Sequence, residues 1–184
     1  MRSPRRRAPL ALAVLLAACG GSPSSTATRL DITQNYTPAI PTEAQPASIR
    51  HIALQPFAGG SLTHSGIHTA VRQVIRDAAT WQSVWSEIFS DVSPQPPLPA
   101  VDFSTDMVVL AAQGDQKTGG FGIFIDGAFT TLDGAMIVAV TSASPGPGCF
   151  NPQQVTQPVD AAAVAKAAAV SFTERLGVFH CGSL

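Results

Sequence analysis

The sequence predicts a mainly β domain of the α+β class: an antiparallel sheet sandwich or partly open barrel with one packed amphipathic helix. Three observations carry that expectation. After residue 49, short apolar runs recur between Gly, Pro, Asn and Asp turn signals, the pattern of strands and tight connections. Only one later stretch, residues 78–89, keeps helical spacing over a full window. An apolar fraction of 45% in 184 residues is enough for one core and too high for a wholly disordered polymer.

The chain opens with Arg2, Arg5, Arg6 and Arg7, followed by an apolar run from Ala8 to Ala18. That run is shorter than the roughly 20 residues that cross a bilayer and fits the hydrophobic region of a secretory signal. It ends in Leu16-Ala17-Ala18-Cys19, which resembles the bacterial lipobox. Residues 1–18 are therefore expected to be a lipoprotein signal peptide and Cys19 the lipid attachment site; an ordinary secretory peptide is the alternative. Two or more acyl chains, at about 0.8 kcal/mol per buried methylene, hold a protein stably at a membrane. Gly20 rather than Asp follows Cys19, which by resemblance favours the outer membrane or cell surface of a bacterial envelope over the inner membrane.

Residues 19–48 are expected to be the lipidated cysteine and a disordered tether, since they are rich in Gly, Ser, Thr, Pro, Ala and Gln without sustained periodicity. Tyr36 and Ile40 are the only bulky side chains there that can dock, and the composition argues that they do not. The folded domain is expected over residues 49–184. His51-Ile52-Ala53-Leu54, Ser65-Gly66-Ile67 and Ala70 to Arg76 read as strands, and Asp77 stands where a helix N-cap belongs. Trp81, Val84, Trp85 and Ile88 then fall at i, i+3, i+4 and i+7 on one helical stripe. Two tryptophans on a stripe are either core or a stacking platform for a ligand, and packing is the ordinary outcome. Pro94 to Pro99 forms a stiff loop. Asp106 to Ala112 is a nearly continuous apolar strand, expected at the centre of a sheet with both faces covered.

The next stretch organises the chain. Gly122 to Asp126 and Ala135 to Val140 read as strands joined through Leu132-Asp133-Gly134. They are flanked by two glycine-rich corners, Thr118-Gly119-Gly120-Phe121 and Pro145-Gly146-Pro147-Gly148-Cys149. If the strands pair, both corners fall at one end of the sheet. From Val159 to Val170 local propensity leans helical, and Val170-Ser171-Phe172 is expected to close the sheet.

Thr118-Gly119-Gly120 before an aromatic residue, Pro145 to Cys149, and then Gln153, Thr156 and Pro158 resemble the signature of the PrcB C-terminal domain family. The likeness reaches back through Val74 to Asp77 and Trp81…Trp85, and forward to Val170-x-Phe172, so it spans roughly Ile52 to Cys181. Phe121 departs from the tyrosine usual in that family. The resemblance implies a strand within residues 159–170, against local propensity. It also implies association with a secreted protease, the family being named for a lipoprotein subunit of a protease complex, and it brings no catalytic set.

With Cys19 assigned to lipid, Cys149 and Cys181 remain, and in an exported chain they are expected to form one disulfide; two buried thiols are the alternative. His180, Cys181, Cys149 and either His64 or His68 lack the paired spacing of a zinc site, so no metal is expected. No nucleophile elbow or phosphate-cradling loop is present, and Gly119-Gly120-x-Gly122 lacks the helix that dinucleotide binding needs. Asp102, Asp106, Asp115 and Asp126 read as solvated carboxylates; neither an enzyme nor a cofactor is expected. Removing the four leader arginines from 11 basic residues leaves 7 against 12 acidic, about −5, with no basic cluster after residue 7, which excludes an ordinary nucleic-acid binder.

The sequence therefore points to a lipid-anchored envelope module that binds another protein through Thr118, Gly119, Gly120, Phe121, Pro145, Gly146, Pro147 and Gly148. A rival reading takes the glycines and prolines as turn builders alone. The residue pattern also leaves room for a small-molecule or glycan carrier with a cavity beside Trp81 and Trp85, and for a protease-inhibitor-like protein.

Overall fold

The computed structural model describes residues 35–54 and 61–179. The described residues form one compact unit. The leader and Cys19, the Gly59-Gly60 pair, and His180 with Cys181 lie outside the described residues.

Among the described residues eight strands and one helix follow in order: β1 (Gln45–Ala47), β2 (Ile49–His51), β3 (Ala70–Ile75), α1 (Ala78–Ile88), β4 (Asp106–Gln113), β5 (Gly122–Thr130), β6 (Met136–Pro145), β7 (Val159–Ala165) and β8 (Val170–Phe179). They form two four-stranded sheets, ordered β1-β5-β6-β8 and β2-β7-β4-β3. All pairings are antiparallel except β6 with β8. The chain leaves β6, contributes β7 to the other sheet and returns as β8, and that crossover is what permits a parallel pair. The expected sandwich is present, as two stacked sheets.

Burial explains the sequence of β4. Met107, Val109 and Ala111 join the inter-sheet core with Ile123, Ile125, Val138 and Val140, while Val108, Leu110 and Ala112 pack on the opposite face with Trp81, Val84, Trp85 and Ile88 of α1. A strand covered on both faces reads as an uninterrupted apolar run. Ala161, Ala162 and Ala163 of β7 are likewise buried, and the segment gives strand Val159–Ala165 rather than the helix that propensity favours. Small side chains let helix and sheets close on this strand, so tertiary packing overrides the local bias.

Asp77 caps α1 by accepting the Thr80 N–H at 2.8 Å, and hydrogen bonding from the Thr80 backbone and side chain holds its carboxyl below the usual range. Trp81 and Trp85 are 1% and 4% exposed and donate their indole N–H groups to Pro99 and Pro96 carbonyls. The proline loop is thus a fitted cover for the tryptophans, and neither ring offers a face to a ligand.

Three expectations are corrected. The domain does not begin at residue 49: Tyr36, Ile40 and Ala44 are buried with Phe129 and Ala139 on the outer face of the first sheet, and β1 pairs with β5. Specific contacts order this Pro-rich segment where periodicity gives no sign, with Tyr36 donating to Asp126 at 2.7 Å and Thr37 bridging Glu174. The strand expected at His51–Leu54 lies two residues earlier, as β2. Residues 65–67 are not a strand; Ser65 is buried and its hydroxyl donates to the Gln157 carbonyl at 3.0 Å.

Candidate functional site

The hairpin register sets the geometry. Gly122 pairs with Ala143, so the two corners extend from adjacent strands at the same end of the first sheet. They touch: a β-carbon at Gly120 would lie 3.1 Å from Pro145 Cβ.

The first corner is fixed by its backbone. Gln116 and Thr156 form an isolated antiparallel bridge, Gly119 N–H donates to the Pro152 carbonyl at 2.9 Å, and Thr156 donates to the Thr118 carbonyl at 3.0 Å. Gly120 takes φ +83°, the left-handed region that glycine occupies without steric cost. Asp115 anchors the approach to this corner. It accepts from Gln157 at 2.8 Å and lies 2.9 Å from His68 Nδ1; these hydrogen bonds lower its pKa, and the carboxylate raises that of His68.

The second corner is a reverse turn closed by Cys149 N–H donating to the Gly146 carbonyl at 3.3 Å. Pro147 and then Gly148 at φ +84° occupy its centre, the residue types of a type II turn. Gly146 N–H donates to the Phe179 carbonyl at 2.9 Å, and any β-carbon on Gly146 would lie 2.6 Å from that oxygen. The Cys149 sulfur lies 3.6 Å from the Phe179 carbonyl, two positions before Cys181 in the sequence.

Between the first corner and its neighbouring loops lies a cleft of about 200 Å³. Gly119, Gly120 and Phe121 form one wall, Thr63 and His64 another, and Pro152, Gln154 and Thr156 complete it. Gln157 N–H donating to the Thr63 carbonyl at 2.9 Å holds the walls together. A larger hollow of about 370 Å³, lined by residues from Gly66 to Gln73 and by Glu87, includes no residue of either corner.

The expected contact residues divide by role. Gly120, Pro147 and Gly148 are exposed, Phe121 is half-buried in the cleft wall, and Thr118, Gly119 and Pro145 are half-buried. Gly146 is buried and builds the turn without presenting a surface. The sequence reading missed Thr63, His64, Pro152 and Gln154, which come from loops without a motif, and Phe150, whose 99% exposure sets an apolar ring in solvent beside the second corner.

The cleft's polar groups are few. Thr63 Oγ1 lies 3.1 Å from His64 Nδ1, and the Thr156 hydroxyl is committed to Thr118. Such a lining suits an apolar or aromatic side chain accompanied by a hydrogen-bonding group. Among the described residues no three His, Cys, Asp or Glu side chains gather in a metal-binding arrangement.

No curated protein and no solved structure matches the chain. A family model does match, over β4 through β7 and hence both corners, though not β3, the helix or β8, to which the sequence resemblance extended. On that evidence residues 107–165, about a third of the chain, match the PrcB C-terminal family.

Proposed function

We propose that this chain is a lipid-anchored bacterial envelope protein whose β domain binds a partner protein, as an accessory or stabilising subunit of a secreted protease. Cys19 carries the lipid, residues 20–34 give reach from the membrane, and the corner end of the sandwich makes the contact. The family match supports the protease as partner class.

The observation that carries this reading is a side-chain-sized cleft walled by the first corner, with the second corner packed against that wall at Gly120 and Phe150 exposed. Backbone hydrogen bonds fix both turns before any partner arrives, so little conformational entropy is lost on association. Phe121 and Phe150 are the aromatic anchors, the residue class that dominates binding energy at interfaces. A Cys149–Cys181 disulfide would tie the second corner to the end of β8 and extend that preorganisation.

Affinity capture from membranes tests the proposal, comparing wild type with a Phe121→Ala, Phe150→Ser double variant. Loss of a co-purifying protease from a folded variant is the expected result. Identical captures from both proteins would remove the corners from the contact.

A further inference from the structure

The outer edge of β8 carries a short lane of main-chain groups without partners among the described residues. Alternate residues of a strand direct their N–H and C=O groups to the same edge. Glu174 faces outward, because its N–H and C=O both bond Thr37, at 3.2 and 2.7 Å. Leu176 and Val178 therefore face outward as well, and Phe179 faces β6, consistent with its carbonyl accepting from Gly146. The described residues of the N-terminal segment do not fill the lane. An antiparallel path from Thr37 would need Asn35 extended opposite Leu176, and Asn35 instead takes φ +71°.

This edge also lacks the usual protection. Folded proteins guard open edges with lysine, proline or inward charges, but residues 176–179 read Leu-Gly-Val-Phe. Leu176 is 87% exposed, Val178 50% and Phe179 42%.

We propose that the lane pairs with the same lane of a second copy of this chain, antiparallel, with the two-fold axis through Gly177. In that register Leu176 faces Val178 of the other copy and the reverse, so all the free N–H and C=O groups of both residues are satisfied in four hydrogen bonds. Other symmetric registers fail. Centring on Leu176 sets Val178 against Glu174, which Thr37 already holds, and centring on Val178 pushes Leu176 past the strand end at Phe179. The glycine at the axis places no side chain where two backbones approach to about 4.5 Å in a non-hydrogen-bonded pair. Such closed, isologous contacts are the commonest form of self-association. The contact is small beside the roughly 800 Å² per partner of a standard interface, so the dimer is a weak one, populated at high local concentration.

Sedimentation equilibrium of the mature chain tests this from about 10 µM to about 1 mM, the range in which a weak complex populates. Average mass is expected to rise toward the dimer, and Leu176→Lys to shift that rise at least about tenfold in concentration, since the symmetry doubles each lost cross-strand pair. Val178→Pro removes an outward N–H and gives the same shift; near-ultraviolet circular dichroism of the buried tryptophans verifies folding in both. Gly177→Cys is expected to crosslink to itself on mild oxidation. A chain that stays monomeric throughout, leaving the lane to a strand of another protein, overturns the proposal. So does a dimer that Leu176→Lys leaves unchanged and that Gly177→Cys does not trap.

Discussion

Gly120 and Pro145 close the gap between the two corners: a β-carbon on the glycine would come within 3.1 Å of the proline's Cβ and would overlap Asn151 Oδ1. Gly148 takes nearly the same dihedral, φ +84°, but a β-carbon there meets nothing within 4 Å. The pair separates backbone strain from packing. Gly148→Ala is expected to cost only the left-handed penalty, about 1–2 kcal/mol. Gly120→Ala adds overpacking and is expected to cost about 3 kcal/mol or more. Urea unfolding of both variants measures the difference, and equal losses would show that the corners do not bear on each other.

Trp85 tests whether the aromatic stripe of α1 is core. Its ring sits 5.3 Å from Trp81 and 4.6 Å from Phe89, centroid to centroid, and its indole N–H meets the Pro96 carbonyl at 3.0 Å. Trp85→Ala is expected to destabilise by about 3–5 kcal/mol through the cavity it leaves. Trp85→Phe keeps most of the packing and loses the hydrogen bond, for about 1 kcal/mol from that bond. A near-neutral Trp85→Ala would instead favour a ligand platform.

The helix, the central strand and the hairpin were legible because each announces itself within a window of residues: an i, i+3, i+4, i+7 stripe, an uninterrupted apolar run, a Leu132-Asp133-Gly134 turn. The closeness of the two corners followed from the hairpin alone. What escaped depends on contacts between distant residues. Tyr36 docks through a partner 90 positions away, and nothing around it repeats. The Thr63–His64 wall of the cleft is placed by Gln157 through a backbone bond that no side-chain pattern encodes. β7 shows the opposite case: its alanine-rich local signal is helical, the family resemblance implies a strand, and packing against α1 on one face and the first sheet on the other makes it one.

Tyr36 gives a direct optical test of the N-terminal segment, because it is the chain's single tyrosine. Burial first, then its hydrogen bond to Asp126 and the charge of that carboxylate, pushes its pKa up to about 12. Since the unfolded value lies near 10, stability from this group is whole below that pH and is lost as pH rises toward about 12. Absorbance titration of native protein should show phenolate only near pH 12, against about 10 in denaturant. A native midpoint near 10 would mean that residues 36–44 are not docked. Asp126→Asn should lower the native midpoint while leaving burial in place.

Asp160 is the buried charge between the sheets. It accepts the Ile125 N–H of β5 at 2.8 Å and the Ala161 N–H at 2.9 Å, with His51 Nδ1 4.0 Å away. Ile125 borders the β-bulge in β5, where the register with β6 shifts, so the carboxylate stitches the two layers at an irregular point of the ladder. Asp160→Ala should cost about 1–3 kcal/mol for the buried N–H groups left without an acceptor. Burial raises the folded-state pKa above its unfolded value, with the backbone donors and His51 opposing the shift. A raised acid favours the folded state fully below the unfolded pKa, and that contribution fades as pH climbs through the folded one. Asp160→Asn cannot titrate, so the stability of wild type relative to this variant should decline between acid and neutral pH. Denaturant unfolding at several pH values reads that slope; a difference that grows toward neutral pH would mean that the hydrogen bonds outweigh burial and hold the carboxylate ionised.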